Sequence, residues 1–290
     1  MIHIPVLLHE VLGILDLQPG QFVIDGTLGS GGHAREMIKR VAPGGTFLGV
    51  DRDINAINSF ESSEQTVKVQ RQHANYSELP QILADLHLPK ADGLLLDLGF
   101  SSDQLTTGSF AGRGFSFQGD EPLLMTYDDA GTPVRELLKE IDEKQLTEIL
   151  TELGEERYAK KIALSIKEQV RQRKMETTQD LVRAVATAVP GNYEHGRISP
   201  ATRTFQALRI YANGELEHLK SLLENLSSVV KPGGRVAIIS FHSLEDRIVK
   251  QHFKTIENAT VLTKKPIIAS EEEVIANPRS RSAKLRGIII

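Results

Sequence analysis

The chain has no cysteine and no tryptophan among its 290 residues. Without cysteine there is no disulfide framework, no thiolate zinc site and no cysteine nucleophile; the absence fits a reducing, cytoplasmic setting. Aromatic residues make up only 5%, which argues against a sheet of stacked aromatics of the kind that reads single-stranded RNA. No apolar run approaches the ~20 residues of a membrane span; the longest are Leu94-Leu95-Leu96, Val236-Ala237-Ile238-Ile239 and Ile288-Ile289-Ile290. The opening Met1-Ile2-His3-Ile4-Pro5 has neither the basic nor the long apolar segment of a secretory signal. Nor is the chain a polycation. Its 34 Lys and Arg against 38 Asp and Glu leave a net charge of −4, so any nucleic-acid surface is a local patch.

What is present is an ordinary globular composition, 40% hydrophobic and 25% charged, enough for one or two domains with a real core. Short apolar runs bounded by turn residues recur. Phe22-Val23-Ile24-Asp25, Thr46-Phe47-Leu48-Gly49-Val50-Asp51 and Gly93-Leu94-Leu95-Leu96-Asp97 each end in an acid, Val67 and Val69 mark another strand, and Lys231-Pro232-Gly233-Gly234 leads into Arg235–Ser240. Continuous apolar runs of this length are the mark of parallel strands covered on both faces, and their alternation with helical spacing (Met37, Ile38, Val41) predicts βαβ units. Between about 105 and 200 the strands vanish. Helical stripes replace them at Val134/Leu137/Leu138/Ile141, Leu146/Ile149/Leu150/Leu153, Tyr158/Ile162/Ile166 and Leu181/Val182/Val185/Val189, the last preceded by the capping pattern Thr177-x-x-Asp180. The expected organisation is an α/β domain in two parts, residues 1–105 and 201–290, split by a helical insertion over 106–200 and closed by a basic C-terminal tail.

The first strand runs into Gly26-Thr27-Leu28-Gly29-Ser30-Gly31-Gly32-His33. In open α/β sheets ligands sit at the carboxyl ends of the strands, and glycines there let backbone N–H groups at a helix start approach an anion. Asp51, after the second strand, is placed to accept from ribose hydroxyls. Gly29-x-Gly31-x-x-Ala34 satisfies the dinucleotide pattern, but Asp25 just ahead of the loop would repel a pyrophosphate. It suits the ammonium of S-adenosylmethionine, which carries no phosphate. The chemistry favours that cofactor over NAD. His33 is either an ordinary residue of the first helical turn or a contact to the cofactor carboxylate, and Tyr76 either covers an adenine ring or simply packs. No His/Asp/Glu spacing reads as a metal site.

His3-Ile4-Pro5-Val6-Leu7-Leu8-His9-Glu10, Asp25-Gly26-Thr27 with Gly31-Gly32-His33, Asp97-Leu98-Gly99 with Ser101-Ser102-x-Gln104-Leu105, and Arg113-Gly114-Phe115-Ser116-Phe117 resemble the RsmH (MraW) family. So do Gly154-Glu155-Glu156-Arg157, Pro200–Ile210, Ser240-Phe241-His242-Ser243-Leu244-Glu245-Asp246-Arg247 and Asn277-Pro278-Arg279-Ser280-Arg281-Ser282, in order along nearly the whole chain. The resemblance implies a Rossmann-like class I S-adenosylmethionine-dependent methyltransferase with an inserted all-helical domain for substrate recognition. It would act on the N4 amine of a decoding-centre cytidine in 16S rRNA of the small ribosomal subunit. Carried over by motif, the cofactor contacts are Gly31, Gly32, His33, Asp51, Tyr76, Asp97 and Gln104. Where the family has Pro-Leu-Asp-Met-Arg-Met, this chain has Pro122-Leu123-Leu124-Met125-Thr126-Tyr127; Ser199 stands in place of a His and Phe100 in place of a Val.

An exocyclic cytosine amine is a poor nucleophile, so it must be held in line with the methyl donor and its N–H bonds given acceptors. Asp97, the Gly99 carbonyl, Ser101 and Ser102 are the candidates, with His242 as a base or a structural group. Zero cysteine removes the covalent route to carbon-5. Arg203, Arg209, Arg247, Arg279, Arg281, Lys284 and Arg286 are the candidate phosphate contacts, against the plainer reading of a solvated polar end. The cations between Arg157 and Lys174, Lys167 and Arg171 among them, are a second candidate RNA face. The same sequence also admits a noncatalytic small-subunit assembly factor and, further off, a nucleotide-dependent oxidoreductase. A homodimer is left open, and no membrane partner is expected.

Overall fold

The computed structural model describes residues 5–99, 111–117, 119–128, 130–193 and 199–290. The chain forms two compact units, Met1–Ser101 with Leu216–Ile290, and Ser102–Glu215. In order the first carries α1 (Leu8–Leu15), β1 (Phe22–Asp25), α2 (Gly32–Val41), β2 (Thr46–Asp51), α3 (Ile54–Ser59), β3 (Lys68–His73), α4 (Leu79–Asp85) and β4 (Ala91–Asp97). The second carries α5 (Val134–Glu140), α6 (Glu143–Glu152), α7 (Ala159–Arg171), α8 (Thr178–Ala188) and α9 (Thr202–Asn213). There follow α10 (Glu215–Glu224), α11 (Leu226–Val229), β5 (Val230–Ser240), α12 (Ser243–His252), β6 (Thr260–Val261), α13 (Glu271–Ala276) and β7 (Lys284–Ile289).

The seven strands form one sheet in the order β3-β2-β1-β4-β5-β7-β6. The first five are parallel and β7 runs antiparallel to both its neighbours. This is the expected Rossmann-like α/β architecture. Side chains alternate between two cores, as period two requires. Val23, Phe47, Leu95, Ala237 and Ile239 face α1 and α2 through Val11, Ile14, Ala34, Met37 and Ile38. Ile24, Leu48, Val50, Leu94, Leu96, Val236 and Ile238 face α4, α10 and α12 through Leu83, Leu219, Leu223 and Val249. Burial on both faces is why these strands read as unbroken apolar runs, and each such Leu or Ile contributes about 1.5–3 kcal/mol.

In the second unit the predicted stripes face inward: Val134, Leu138, Leu146, Leu150, Ile162, Ile166, Leu181 and Val185 make one core. Asp142 caps α6 in a reciprocal box with Gln145, and Thr177 caps α8 with Asp180 as the sequence pattern predicted. Two expectations change. The insertion ends at 215 rather than 200, because α9 buries Phe205, Ala207 and Leu208 in the helical core. The chain end is no tail: Leu285 and Ile288 enter the two sheet cores, so β7 is a structural strand. Among the described residues no helix is long and apolar enough to cross a membrane.

Candidate active site

β1, β2 and β4 are neighbours in the sheet, so their terminal acids Asp25, Asp51 and Asp97 converge at one edge. A single hydroxyl ties two of them. Thr27 donates from its amide and hydroxyl to Asp25 Oδ1 (3.1 and 3.4 Å), and the Asp97 amide donates to the same hydroxyl oxygen at 2.7 Å. Asp51 holds the loop from the other side, Oδ2 accepting from the Gly29 amide (2.7 Å) and Oδ1 from the Asp53 amide (2.8 Å).

Asp25 is only 1% exposed. Burial pushes its carboxyl up to about 7, the Asp97 and Asp51 charges add to the rise, and the Thr27 hydrogen bonds oppose it. Burial likewise raises Asp51 to about 6, against the pull of the Asp53 and Gly29 amides. Three carboxylates held this close in low dielectric favour a cation beside them.

The glycine turn is shaped by close approaches that leave no space for a side chain. Gly31 caps α2 at φ 75, where a Cβ would come 2.3 Å from the Phe60 ring. A Cβ on Gly32 would meet Pro5 Cγ at 2.7 Å. Among the described residues no side chain caps α2, and the first amides of a helix carry the positive end of its dipole. His33 follows, buried, with Nε2 2.9 Å from the Val6 carbonyl and Nδ1 3.7 Å from Asp97 Oδ2. Its ring thus meets the N-terminal segment and Asp97. Tyr76 lies on a single 3₁₀ turn after β3, partly buried in the sheet core, its Cβ 3.2 Å from where a Cβ on Gly26 would be.

Asp97 is partly open, its side chain 19% exposed, with Oδ1 accepting from the Gly99 amide at 3.2 Å. Gly99 lies against the Phe241 ring; a Cβ on Gly99 would come within 2.5 Å of it, so a larger residue there would push the ring aside. Phe100, Ser101, Ser102 and Gln104 lie outside the described residues. His242 caps α12, its Nδ1 accepting from the Glu245 amide, which is the structural of its two readings.

The candidate RNA contacts separate. Arg247 and Arg281 are exposed and Arg279 is half-buried. Arg203 donates to the Glu155 carbonyl (2.9 Å), and Arg209 grips Glu215 through two bonds (2.9 and 3.0 Å). Arg286 is a correction: it is 5% exposed, bonded to both carboxylate oxygens of Asp246 at 2.7 and 3.2 Å, and cannot reach a phosphate. Lys284 lies 3.8 Å from the same acid. Lys167 is likewise internal, donating to the Leu138 and Ile141 carbonyls at the end of α5.

Sequence reasoning missed the polar clamp on the divergent segment. Asn213 donates to the Met125 carbonyl and accepts from the Tyr127 amide, Arg113 donates to the Thr126 carbonyl and hydroxyl, and Tyr127 stacks on Phe115 with rings 5.6 Å apart. It also missed buried Glu156, which accepts from the Tyr193 hydroxyl. The only advance signal was the acid inside Gly154-Glu155-Glu156-Arg157.

The family model of the MraW methylase family matches residues 1–289. "Ribosomal RNA small subunit methyltransferase H" of Syntrophotalea carbinolica is 44% identical to this chain, covering 99% of it and 97% of the relative. The protein of that name from Synechocystis is also 44% identical, over 98% and 92%. Among solved structures, TrmN from Thermus thermophilus is 12% identical with a TM-score of 0.42, over 98% of this chain and 48% of its own. On a family match that spans the sheet strands, the glycine turn and the helical insertion alike, the chain belongs to the MraW methylase family.

Proposed function

We propose that the protein transfers the methyl group of S-adenosylmethionine to the N4 amine of a decoding-centre cytidine in 16S rRNA. The observation that carries this reading is the convergence of Asp25, Asp51 and Asp97 around the glycine turn that opens α2. Acids at this edge suit a ligand with an ammonium, a sulfonium and ribose hydroxyls; they oppose a pyrophosphate. The α2 amides suit its single carboxylate. The residues present therefore fit the cofactor. When bound, it supplies a methyl group activated by a positively charged sulfur.

In this reading Asp51 accepts from the ribose while its other bonds keep the Gly29 turn in place, and Tyr76 flanks the adenine. Asp25 sets the charge beneath the loop. Asp97, with Ser101 and Ser102 on the following segment, accepts from the cytosine amine and holds its nitrogen toward the methyl carbon, and Gln104 contacts the cofactor. The cytosine amine nitrogen would be the nucleophile for that methyl group, and its proton would pass to an acceptor at this edge, Asp97 being the one in place. No thiol is needed, in keeping with the absence of cysteine. The helical unit and the exposed Arg247 and Arg281 serve the RNA. Family relatives named for the small-subunit RNA support this substrate.

The test is incubation with methyl-labelled S-adenosylmethionine and small subunits lacking the modification, followed by nucleoside mass spectrometry. N4-methylcytidine is expected; label on carbon-5, on another base, or on none overturns the reading.

A further inference from the structure

Both ring nitrogens of His33 face protein oxygens. The Val6 carbonyl, 2.9 Å from Nε2, can only accept, so Nε2 carries a hydrogen. Nδ1 faces Asp97 Oδ2 at 3.7 Å, longer than a hydrogen bond and within ion-pair range. Both side chains sit largely out of water, where such an interaction is least screened.

The segment His33 holds is fixed independently. The Leu7 amide donates to Glu273 Oε1 at 2.8 Å, and Pro5 lies on Gly32, leaving no room for a Cβ there. Asp97, at the other end, is held through its own amide by the Thr27 hydroxyl and through Oδ1 by the Gly99 amide. Oδ2 faces the imidazole. An unbroken chain of contacts thus runs from Pro5–Leu7 through His33 to Asp97, and through Thr27 to Asp25.

We infer that His33 is a positioning residue for methyl transfer: the ring braces the Asp97 carboxylate against the strap of residues 5–7, so the carboxylate keeps one orientation toward the acceptor amine. In this role His33 acts through Asp97, with Nε2 held by the Val6 carbonyl and Nδ1 3.7 Å from Asp97 Oδ2. The inference rests on the role proposed for Asp97.

Two substitutions separate the ring's two sides. His33→Gln can place an amide nitrogen near the Nε2 position, keeping the bond to Val6 and leaving nothing opposite Asp97. His33→Asn places its amide near the Nδ1 position, facing Asp97 and releasing Val6. Single-turnover methylation of unmodified small subunits at saturating cofactor is measured, with calorimetric binding of S-adenosylhomocysteine and thermal melting alongside. His33→Gln is expected to slow the methyl-transfer step about tenfold while cofactor affinity stays within about twofold. His33→Asn is expected to melt lower yet, at a temperature where it is folded, recover most of the rate. In an Asp97→Asn background, His33→Gln should cost less than about threefold, because the two residues act as one unit.

A full rate in His33→Gln, the same tenfold loss in the Asp97→Asn background, or a loss confined to cofactor affinity overturns the inference. The nucleoside product distinguishes this from failure of the functional reading: N4-methylcytidine formed at full rate by His33→Gln removes only His33, whereas a different product removes the assigned reaction.

Discussion

Arg286 on β7 grips Asp246 on α12 through both carboxylate oxygens, with the arginine side chain 6% exposed and the acid 14%. A charge pair this buried gives modest net stability when intact but is costly to break from one side. Asp246→Ala strands a buried guanidinium and should cost about 3–5 kcal/mol, read as a fall in Tm. Arg286→Met should cost less if the apolar chain fills the space. Equal losses would mean that burying the unpaired arginine is not what makes the first change costly.

The same strand makes the chain end indispensable. Ending the chain after Ala283 removes β7 and with it the antiparallel partner of β5 from Arg235 to Ser240. Such a protein should lose its cooperative melting transition and cofactor binding together. A truncated chain that melts cooperatively and binds S-adenosylhomocysteine as well as the full chain would return β7 to the status of a tail.

Asp25 carries a pH signature. Its folded value of about 7 lies above the ordinary 3.8, so the folded state holds the proton more tightly than the unfolded chain. The stability this gives is fully present below about pH 4 and is lost as pH rises through 7. Asn cannot ionise and keeps an oxygen for the Thr27 amide. Melting of the ligand-free protein should therefore show Asp25→Asn gaining on the parent as pH increases from 5 to 8. A constant difference across that range would remove burial of the charge as its cause.

Asp51→Ala deletes the proposed ribose acceptor and the bonds that hold Gly29 and Asp53. A charged acceptor is worth roughly 1.5–3 kcal/mol, so S-adenosylhomocysteine should bind about one to two decades more weakly by calorimetry. Unchanged affinity would take Asp51 out of the site.

Exposed arginines, not Arg286, should carry the salt dependence of RNA binding. Neutralising Arg247 and Arg281 together should flatten the slope of log affinity against log salt by roughly 0.7–0.9 for each phosphate left without its arginine, with cofactor affinity unaffected. Arg286→Met should leave the slope as it was; a flatter slope there would contradict its burial.

Much of this was legible in the chain. Phe22–Asp25, Leu94-Leu95-Leu96 and Val236–Ile239 announce strands because both faces are buried, and Thr177 with Asp180 announces a helix start because the box closes within four residues. α1 gave no such signal. It contains Gly13, and its N-cap is Leu7 at φ 54 with no side-chain bond, so tertiary packing of Val11, Ile14 and Leu15 on the sheet stabilises it instead. The three acids were readable as strand ends, but not the hydroxyl of Thr27 that joins two of them across 70 residues.

Sequence alone determined the alternation of strands and helices, the place of the glycine turn and the acids that surround it, because periodicity and turn chemistry act over a few residues. The tertiary structure decided what each charge does. Lys167 and Arg286 look like their exposed neighbours in a basic run, yet one closes the end of α5 and the other neutralises Asp246. Their partners stand 26 to 40 positions away, and a buried cation is tolerated only where the fold brings it an acceptor.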